Sequence, residues 1–347
     1  MNYINRRQFL HYSSLAISST ILTSCATLND SNSTAKNNHN LDKVTYGTNW
    51  YAQAEHGGFY QAIATGIYED YGLDVTIKMG NAQVNGTQLL VGGAIDFYMG
   101  FGIEAISAVE AGIPTITVAA IFQKDPQVLI AHPGVGNDSL EQLKGKPILV
   151  SSLSEKGYWR FLQTKFGYTD DQRRPYNFSV APFLLDKNVI QQGYLTSEPF
   201  TIEKKGGFKP VVMLLADYGY EPYATTIATT TKMVENNPDL VQRFVDASIK
   251  GWYSYLENPE PANQLIKKDN PEMTDELLAY SLEKMKEYGI ITSGDAATKG
   301  IGAMTDERWK SFFDTVVKAG VIKPDTNYKK AFTLQFVNQG AGEFNNG

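Results

Sequence analysis

Apolar and polar positions change period in a repeating order along this chain, and that order predicts alternating strands and helices. Residues 44–50 form a short β-type run. From Gly58 the spacing turns helical, with Phe59, Ile63 and Ile67 four residues apart on one face, and Tyr71-Gly72-Leu73 closes the helix. A strand is expected over 74–79, then a helix over 84–91 stopped by Gly92-Gly93. A short strand over 96–99 and a helix over 104–110 follow, the latter ended by Gly112-Ile113-Pro114. Residues 115–122, rich in β-branched side chains, read as a buried strand. Such alternation predicts mostly parallel sheet with helices on both faces.

The order begins again at Leu140. Gly145-Lys146-Pro147 leads into a strand over 148–150, a helix over 156–166 and a later strand over 211–215. Beyond Thr231 the period is mainly helical. Asn237-Pro238-Asp239 is a helix start, with Asn as cap, Pro at the first helical position and an acid in the first turn. Leu240, Val241, Phe244, Val245, Ile249 and Trp252 form its apolar stripe, and two more helices are expected from Thr274 and Thr305. The economical reading is two α/β lobes, residues 43–128 with 230–347 and residues 129–229. Two crossings, near 127–133 and 225–231, would join them, with the C-terminal helices returning to the first lobe. A cleft between such lobes is where small ligands usually bind.

The first 42 residues follow neither period. Arg6-Arg7-Gln8-Phe9-Leu10 is a twin-arginine export signature followed by an apolar run, and Leu22-Thr23-Ser24-Cys25 is a lipobox. Residues 1–24 are therefore expected to be a signal peptide. Cys25 is expected to be acylated, and the Asn- and Ser-rich residues 25–42 to tether the fold to a membrane outside the cytoplasm. Cys25 is also the only cysteine, which leaves no internal disulfide or thiolate metal site. No later segment has the ~18 consecutive apolar residues of a membrane span. Without Arg6 and Arg7 the chain carries 29 basic against 37 acidic residues, a balance that argues against a nucleic-acid partner.

Candidate chemistry concentrates in residues 49–60. Trp50, Tyr51 and Phe59 supply flat apolar area; Asn49, Gln53, Glu55 and His56 supply directional polar groups. Gly57-Gly58 would let the backbone come close at a helix start. Phe59 reads as core, whereas Trp50 and His56 read as cleft residues, because strand-end loops face the cleft in this architecture. The candidate ligand contacts are Asn49, Trp50, Gln53, His56, Tyr60, Phe101, Glu104, Ser152, Glu198 and Tyr220. Glu198 is either an acceptor for an exocyclic amine or a solvated turn carboxylate. Ser151-Ser152 either grip an anion or merely cap a helix. The loop 217–223 is either cleft wall or surface. His39, His56 and His132 lack metal-ligand spacing, so no metal is expected. Neither a phosphate loop nor a Gly-x-Ser-x-Gly elbow occurs.

Asn49-Trp50 before His56-Gly57-Gly58-Phe59-Tyr60, then Gly66-Ile67-Tyr68 and Tyr71-Gly72-Leu73-Asp74-Val75, resembles the extracytoplasmic solute-binding proteins of the sulfonate, nitrate and thiamine-pyrimidine-precursor group. Gly92-Gly93-Ala94-Ile95-Asp96-Phe97 and Glu110-Ala111-Gly112-Ile113-Pro114 carry the likeness onward, and it extends over residues 44–231. The resemblance implies a two-lobe periplasmic-binding-protein fold (type II), α/β with mixed, mostly parallel sheets and a ligand cleft between lobes. It also implies a cofactor-free, monomeric receptor that delivers a small molecule to a separate permease and ATPase of an ABC importer. The aromatic and histidine-containing opening is more like the pyrimidine-precursor branch than the sulfonate, taurine or nitrate branch. A pyrimidine-synthesising enzyme shares the scaffold and consumes one of its own histidines. Its Cys-rich iron motif has no counterpart here, which sets the enzyme reading aside.

Overall fold

A computed structural model describes residues 41–340, apart from residues 82, 152, 153, 155, 156 and 178. The leader, Cys25, the tether up to residue 40 and Ser152 lie outside the described residues.

Among the described residues ten strands form two five-stranded sheets. The first contains β1 (Asp42–Gly47), β2 (Leu73–Lys78), β3 (Phe97–Gly100), β4 (Thr115–Phe122) and β10 (Ala224–Thr230), in the order β2-β1-β3-β10-β4. The second contains β5 (Gln127–Ala131), β6 (Ile148–Val150), β7 (Arg173–Pro175), β8 (Ile190–Tyr194) and β9 (Val211–Leu214), in the order β7-β6-β8-β5-β9. β1 runs parallel to β2 and β3, and β6 parallel to β7 and β8. β10 and β5, each in the body of its sheet, run antiparallel to both neighbours. The α/β architecture is the expected one, with more antiparallel pairing than the strand–helix rhythm implied.

The two strands that add this pairing also move the crossings. The sequence pattern placed the passages at 127–133 and 225–231, yet Gln127–Ala131 and Ala224–Thr230 are themselves strands. The chain passes between the sheets at residues 123–126 and returns at residues 219–223. Both of these strands are buried on both faces, so neither shows the alternation by which a half-exposed strand is recognised.

Most helix starts fall where the cap residues put them. Thr274 and Thr305 accept hydrogen bonds from the backbone of Leu277 and Arg308, at the starts of Asp275–Glu287 and Asp306–Lys318. Pro238 opens the 20-residue helix Pro238–Glu257, whose stripe buries Val241, Phe244, Val245, Ile249 and Trp252. This helix returns to the first sheet. Phe244 stacks on Phe97 of β3 at 4.1 Å between centroids, and Trp252 meets Phe59 edge-on at 5.7 Å. Ile67 does not continue the first helix. That helix is Gly57–Ala64, and Gly66 in the left-handed region (φ 75°) separates it from Ile67–Asp70. Among the described residues no helix is long and apolar enough to cross a membrane.

Candidate functional site

A cavity of about 220 Å³ lies at the ends of both sheets, with walls from the segment after β1, the end of β3, both passages and the β6 and β8 ends. Eight of the ten candidate contacts line it: Asn49, Trp50, Gln53, His56, Phe101, Glu104, Glu198 and Tyr220. Tyr60 does not. The helical turn carries it away from the cavity, where it is buried and its hydroxyl donates to Asp269 Oδ2 at 2.8 Å. Ser152 lies outside the described residues; its neighbour Ser151 lines the cavity and donates its backbone N–H to Gln192 Oε1 at 2.6 Å.

The Gly57-Gly58 pair serves packing rather than approach to a ligand. A Cβ on Gly58 would lie 2.2 Å from the Trp252 indole, and one on Gly57 would lie 2.3 Å from the Tyr255 ring. The glycines let the Pro238–Glu257 helix close onto the start of helix Gly57–Ala64. That contact braces the residues just before it, Glu55 and His56, which form a single 3-10 turn with Ala54.

His56 is fully buried, and neither ring nitrogen has a partner among the described residues. Burial drives its pKa down to about 3, so the ring is neutral, with one nitrogen a donor and the other an acceptor. Glu55 beside it is also buried and accepts a hydrogen bond from the Thr196 hydroxyl, just beyond β8 of the second sheet. Ser281 Oγ on helix Asp275–Glu287 donates to the Thr196 carbonyl at 2.7 Å, so the turn that reaches Glu55 is itself held.

Glu198 is the first residue of helix Glu198–Gly206, where backbone N–H groups favour an acid. Its Oε2 accepts from the Tyr194 backbone at 2.8 Å and its Oε1 from the Tyr176 hydroxyl at 3.1 Å. It is therefore a fixed carboxyl in a cavity wall and not a solvated turn residue. Burial raises its pKa, against the pull of those bonds. Burial likewise lifts Glu55, Glu104 and Asp125 to about 7. Glu104 accepts the N–H of Phe101, the residue before its helix, at 3.2 Å, and Asp125 accepts the Gln127 N–H at 3.1 Å in the first passage.

Residues outside the candidate set complete the walls. Gln192 Oε1 gathers bonds from the Ser151 backbone, Ser154 Oγ and the Tyr158 hydroxyl, which fixes the amide plane at the end of β8. Asp125, Tyr158, Tyr176 and Gln192 carried no motif. Only the Asp125-Pro126 pair after an apolar run was a usable signal, and it depended on knowing that a passage lay there. In the loop 217–223, Tyr220 faces the cavity while Tyr223 packs under the Arg308 guanidinium, 4.4 Å from the ring centroid.

The family described as NMT1/THI5 like matches residues 53–262. The riboflavin-binding protein RibY of Chloroflexus aurantiacus is 24% identical over 309 residues, covering 87% of this chain and 88% of its own length. A formylaminopyrimidine-binding protein of Halalkalibacterium halodurans is 24% identical over 299 residues, with coverage of 79% and 85%. A 4-amino-5-hydroxymethyl-2-methylpyrimidine phosphate synthase of Schizosaccharomyces pombe is 23% identical, with coverage of 71% and 75%. Among solved structures, the periplasmic aliphatic sulphonate binding protein SsuA of Escherichia coli superposes with a TM-score of 0.63 at 13% identity, over 84% of this chain and 91% of SsuA, a likeness of fold. The family match takes in more than half of the chain and every cavity-lining residue except Asn49 and Trp50, and this protein belongs to the NMT1/THI5-like family.

Proposed function

We propose that this protein is the solute receptor of an ABC importer, lipid-anchored outside the cytoplasm, and that it captures a small planar nitrogen heterocycle. The observation that carries the reading is the make-up of the cavity. Trp50, Phe101 and Tyr220 offer flat apolar faces. Glu198, Glu104, Gln192 and the neutral His56 offer directional acceptors and donors. Among the described residues the lining holds no lysine or arginine. A sulfonate or nitrate would meet four carboxyl groups there and, among the described residues, no cation, which favours the heterocycle over the anion-receptor reading. Relatives named for binding riboflavin and formylaminopyrimidine, both planar nitrogen heterocycles, support the same ligand class. The polar groups serve as ligand contacts and no catalytic step is assigned to them. Closure of the lobes on ligand would present the form recognised by the separate membrane partner.

Mass spectrometry of small molecules retained by the purified protein tests the reading, followed by a thermal-shift panel of aminopyrimidines, flavins, taurine, alkanesulfonates and nitrate. Shifts with the heterocycles are expected. A shift with sulfonates or nitrate alone would overturn the reading, and conversion of a bound pyrimidine or flavin into a new product would replace it with an enzyme.

Trp50 supplies a sharper prediction. It is half-buried at the cavity wall, with its ring edge-on to Tyr51 at 5.6 Å. Trp50→Ala is expected to weaken heterocycle binding by roughly 0.5–1.5 kcal/mol beyond the area lost, the worth of aromatic stacking. Unliganded stability should change far less than the ~3–5 kcal/mol that a core tryptophan costs. Calorimetric affinity and urea unfolding on the one variant separate the two cases.

Cys25→Ser is expected to release a folded protein from the membrane fraction, since no helix among the described residues offers a second anchor. Retention in membranes after a high-salt wash would count against the lipid tether.

A further inference from the structure

The charge state of the ligand is a separate question, and the cavity bears on it. Glu55, Glu104, Asp125 and Glu198 all line it. Each is fixed by one or two hydrogen bonds, from Thr196, from the Phe101 and Gln127 backbones, and from Tyr194 with Tyr176. A carboxylate has about four acceptor positions, so each keeps free lone pairs. Among the described residues, none of the four takes part in an ion pair. Carboxyl groups taken from water with no opposite charge are costly, and several in one cavity also repel one another.

A second observation points to a ligand independently of the acids. His56 is fully buried at the same cavity, and among the described residues neither ring nitrogen has a partner. Buried polar atoms in folded proteins are paired in roughly nine cases out of ten, and this imidazole, in the cavity wall, keeps one donor and one acceptor for a polar molecule.

The geometry also says what kind of positive charge fits. No group of three or more His, Cys, Asp or Glu side chains among the described residues is arranged to hold a metal ion. The acids fall into two regions of the wall. The fields of Asp125, Glu55 and Glu198 all fall on the Tyr194 hydroxyl, while that of Glu104 falls on Tyr98. A point charge could satisfy only one such region. A flat cation with its charge delocalised over a ring can face several, and the aromatic walls favour it further through their negative π faces.

We propose that the ligand is bound as an organic cation: a planar ring carrying delocalised positive charge, as an amidinium or as a ring nitrogen protonated or alkylated. Glu198 and Asp125 are its specificity-determining residues. The inference rests on the heterocycle-receptor reading and adds the charge. The raised pKa values of these groups agree with it, since buried acids facing no positive charge take up protons that a bound cation would displace.

Titration calorimetry at pH 7.5 on the purified chain, with matched pairs of ring compounds, tests it. Benzamidine is compared with benzamide, and 4-amino-1-methylpyrimidinium with 4-aminopyrimidine. In each pair the cation is expected to bind at least tenfold more tightly. In an Asp125→Asn/Glu198→Gln variant the ratio should fall towards one while the neutral members keep their affinity, a readout that misfolding would not produce. Equal or tighter binding of the neutral members to the unaltered protein would overturn the inference and leave the receptor for neutral heterocycles standing. A cation preference that survives in the variant would overturn the roles given to Asp125 and Glu198. If no ring compound binds, charged or neutral, and sulfonates do, the underlying reading falls with it.

Discussion

The unliganded protein is expected to become more stable as the pH is lowered from 8 to 5, opposite to the usual behaviour of proteins whose acids are ion-paired. Glu55 and Asp125 are both less than a tenth exposed, and burial raises their pKa from 4.5 and 3.8 to about 7. A raised folded-state pKa means that the native state binds protons the unfolded chain does not, between the two values. Stability is thus fully present below about pH 4 and is lost as the pH rises through 7. Each of these acids gains roughly 1.4 kcal/mol per pH unit on descent below 7. His56 acts the other way. Its pKa falls from 6.5 to about 3, so below pH 6.5 the unfolded state binds a proton that the native state refuses. Two acids against one histidine leave a net gain on the order of 3 kcal/mol between pH 8 and pH 5. Glu104 and Glu198, half-buried and shifted in the same sense, add to it. Urea midpoints across this range measure the slope. A Glu55→Gln/Asp125→Asn variant should flatten it, because Glu104 and Glu198 then roughly offset the opposing titration of His56. A wild-type midpoint that falls steadily from pH 8 to pH 5 would show that these acids are ionised and paired in the folded protein.

Gly251→Ala is expected to destabilise the fold markedly, although alanine is the better helix former by about 1 kcal/mol. Gly251 sits inside helix Pro238–Glu257 where it crosses helix Gly57–Ala64. A Cβ there would lie 2.3 Å from the Gly58 carbonyl oxygen and 2.8 Å from Ala62 Cβ. These are backbone and near-backbone atoms with no rotamer to relieve the clash, so the helices must move apart. Overpacking of this kind costs typically ~1–3 kcal/mol and sometimes more, which exceeds the propensity gain. The helix that would shift begins directly after His56, so ligand affinity should fall together with stability. An unchanged or higher urea midpoint would mean that the two helices do not approach this closely.

What the chain declares by itself is local chemistry. Thr274 and Thr305 mark helix starts because capping involves only a few neighbouring residues, and Pro238 marks a third by its fixed φ, although the Asn237 side chain expected to cap it makes no cap bond. Residues 115–122 and 148–150 are the strands that their β-branched and apolar runs indicated. The α/β class and the concentration of cleft residues after the first strand were legible for the same reason: a strand end followed by a polar, aromatic stretch and a glycine pair leaves few alternatives.

Tertiary contacts decided the rest. Gly57-Gly58 looks the same in sequence whether it admits a ligand or a tryptophan, and only the return of Pro238–Glu257 shows that Trp252 and Tyr255 take the space. Tyr60 is chemically suited to the cleft, but the helical turn and Asp269, 209 residues away, hold it elsewhere. Strands β5 and β10 are buried on both faces, so their periodicity is silent and the passages could not be placed to the residue. The acidity of the cavity is a property of the assembled fold. Glu55, Glu104, Asp125 and Glu198 are scattered over 144 positions as ordinary carboxylates, and only the folding of two sheets around one cavity removes them from water and shifts their protonation together.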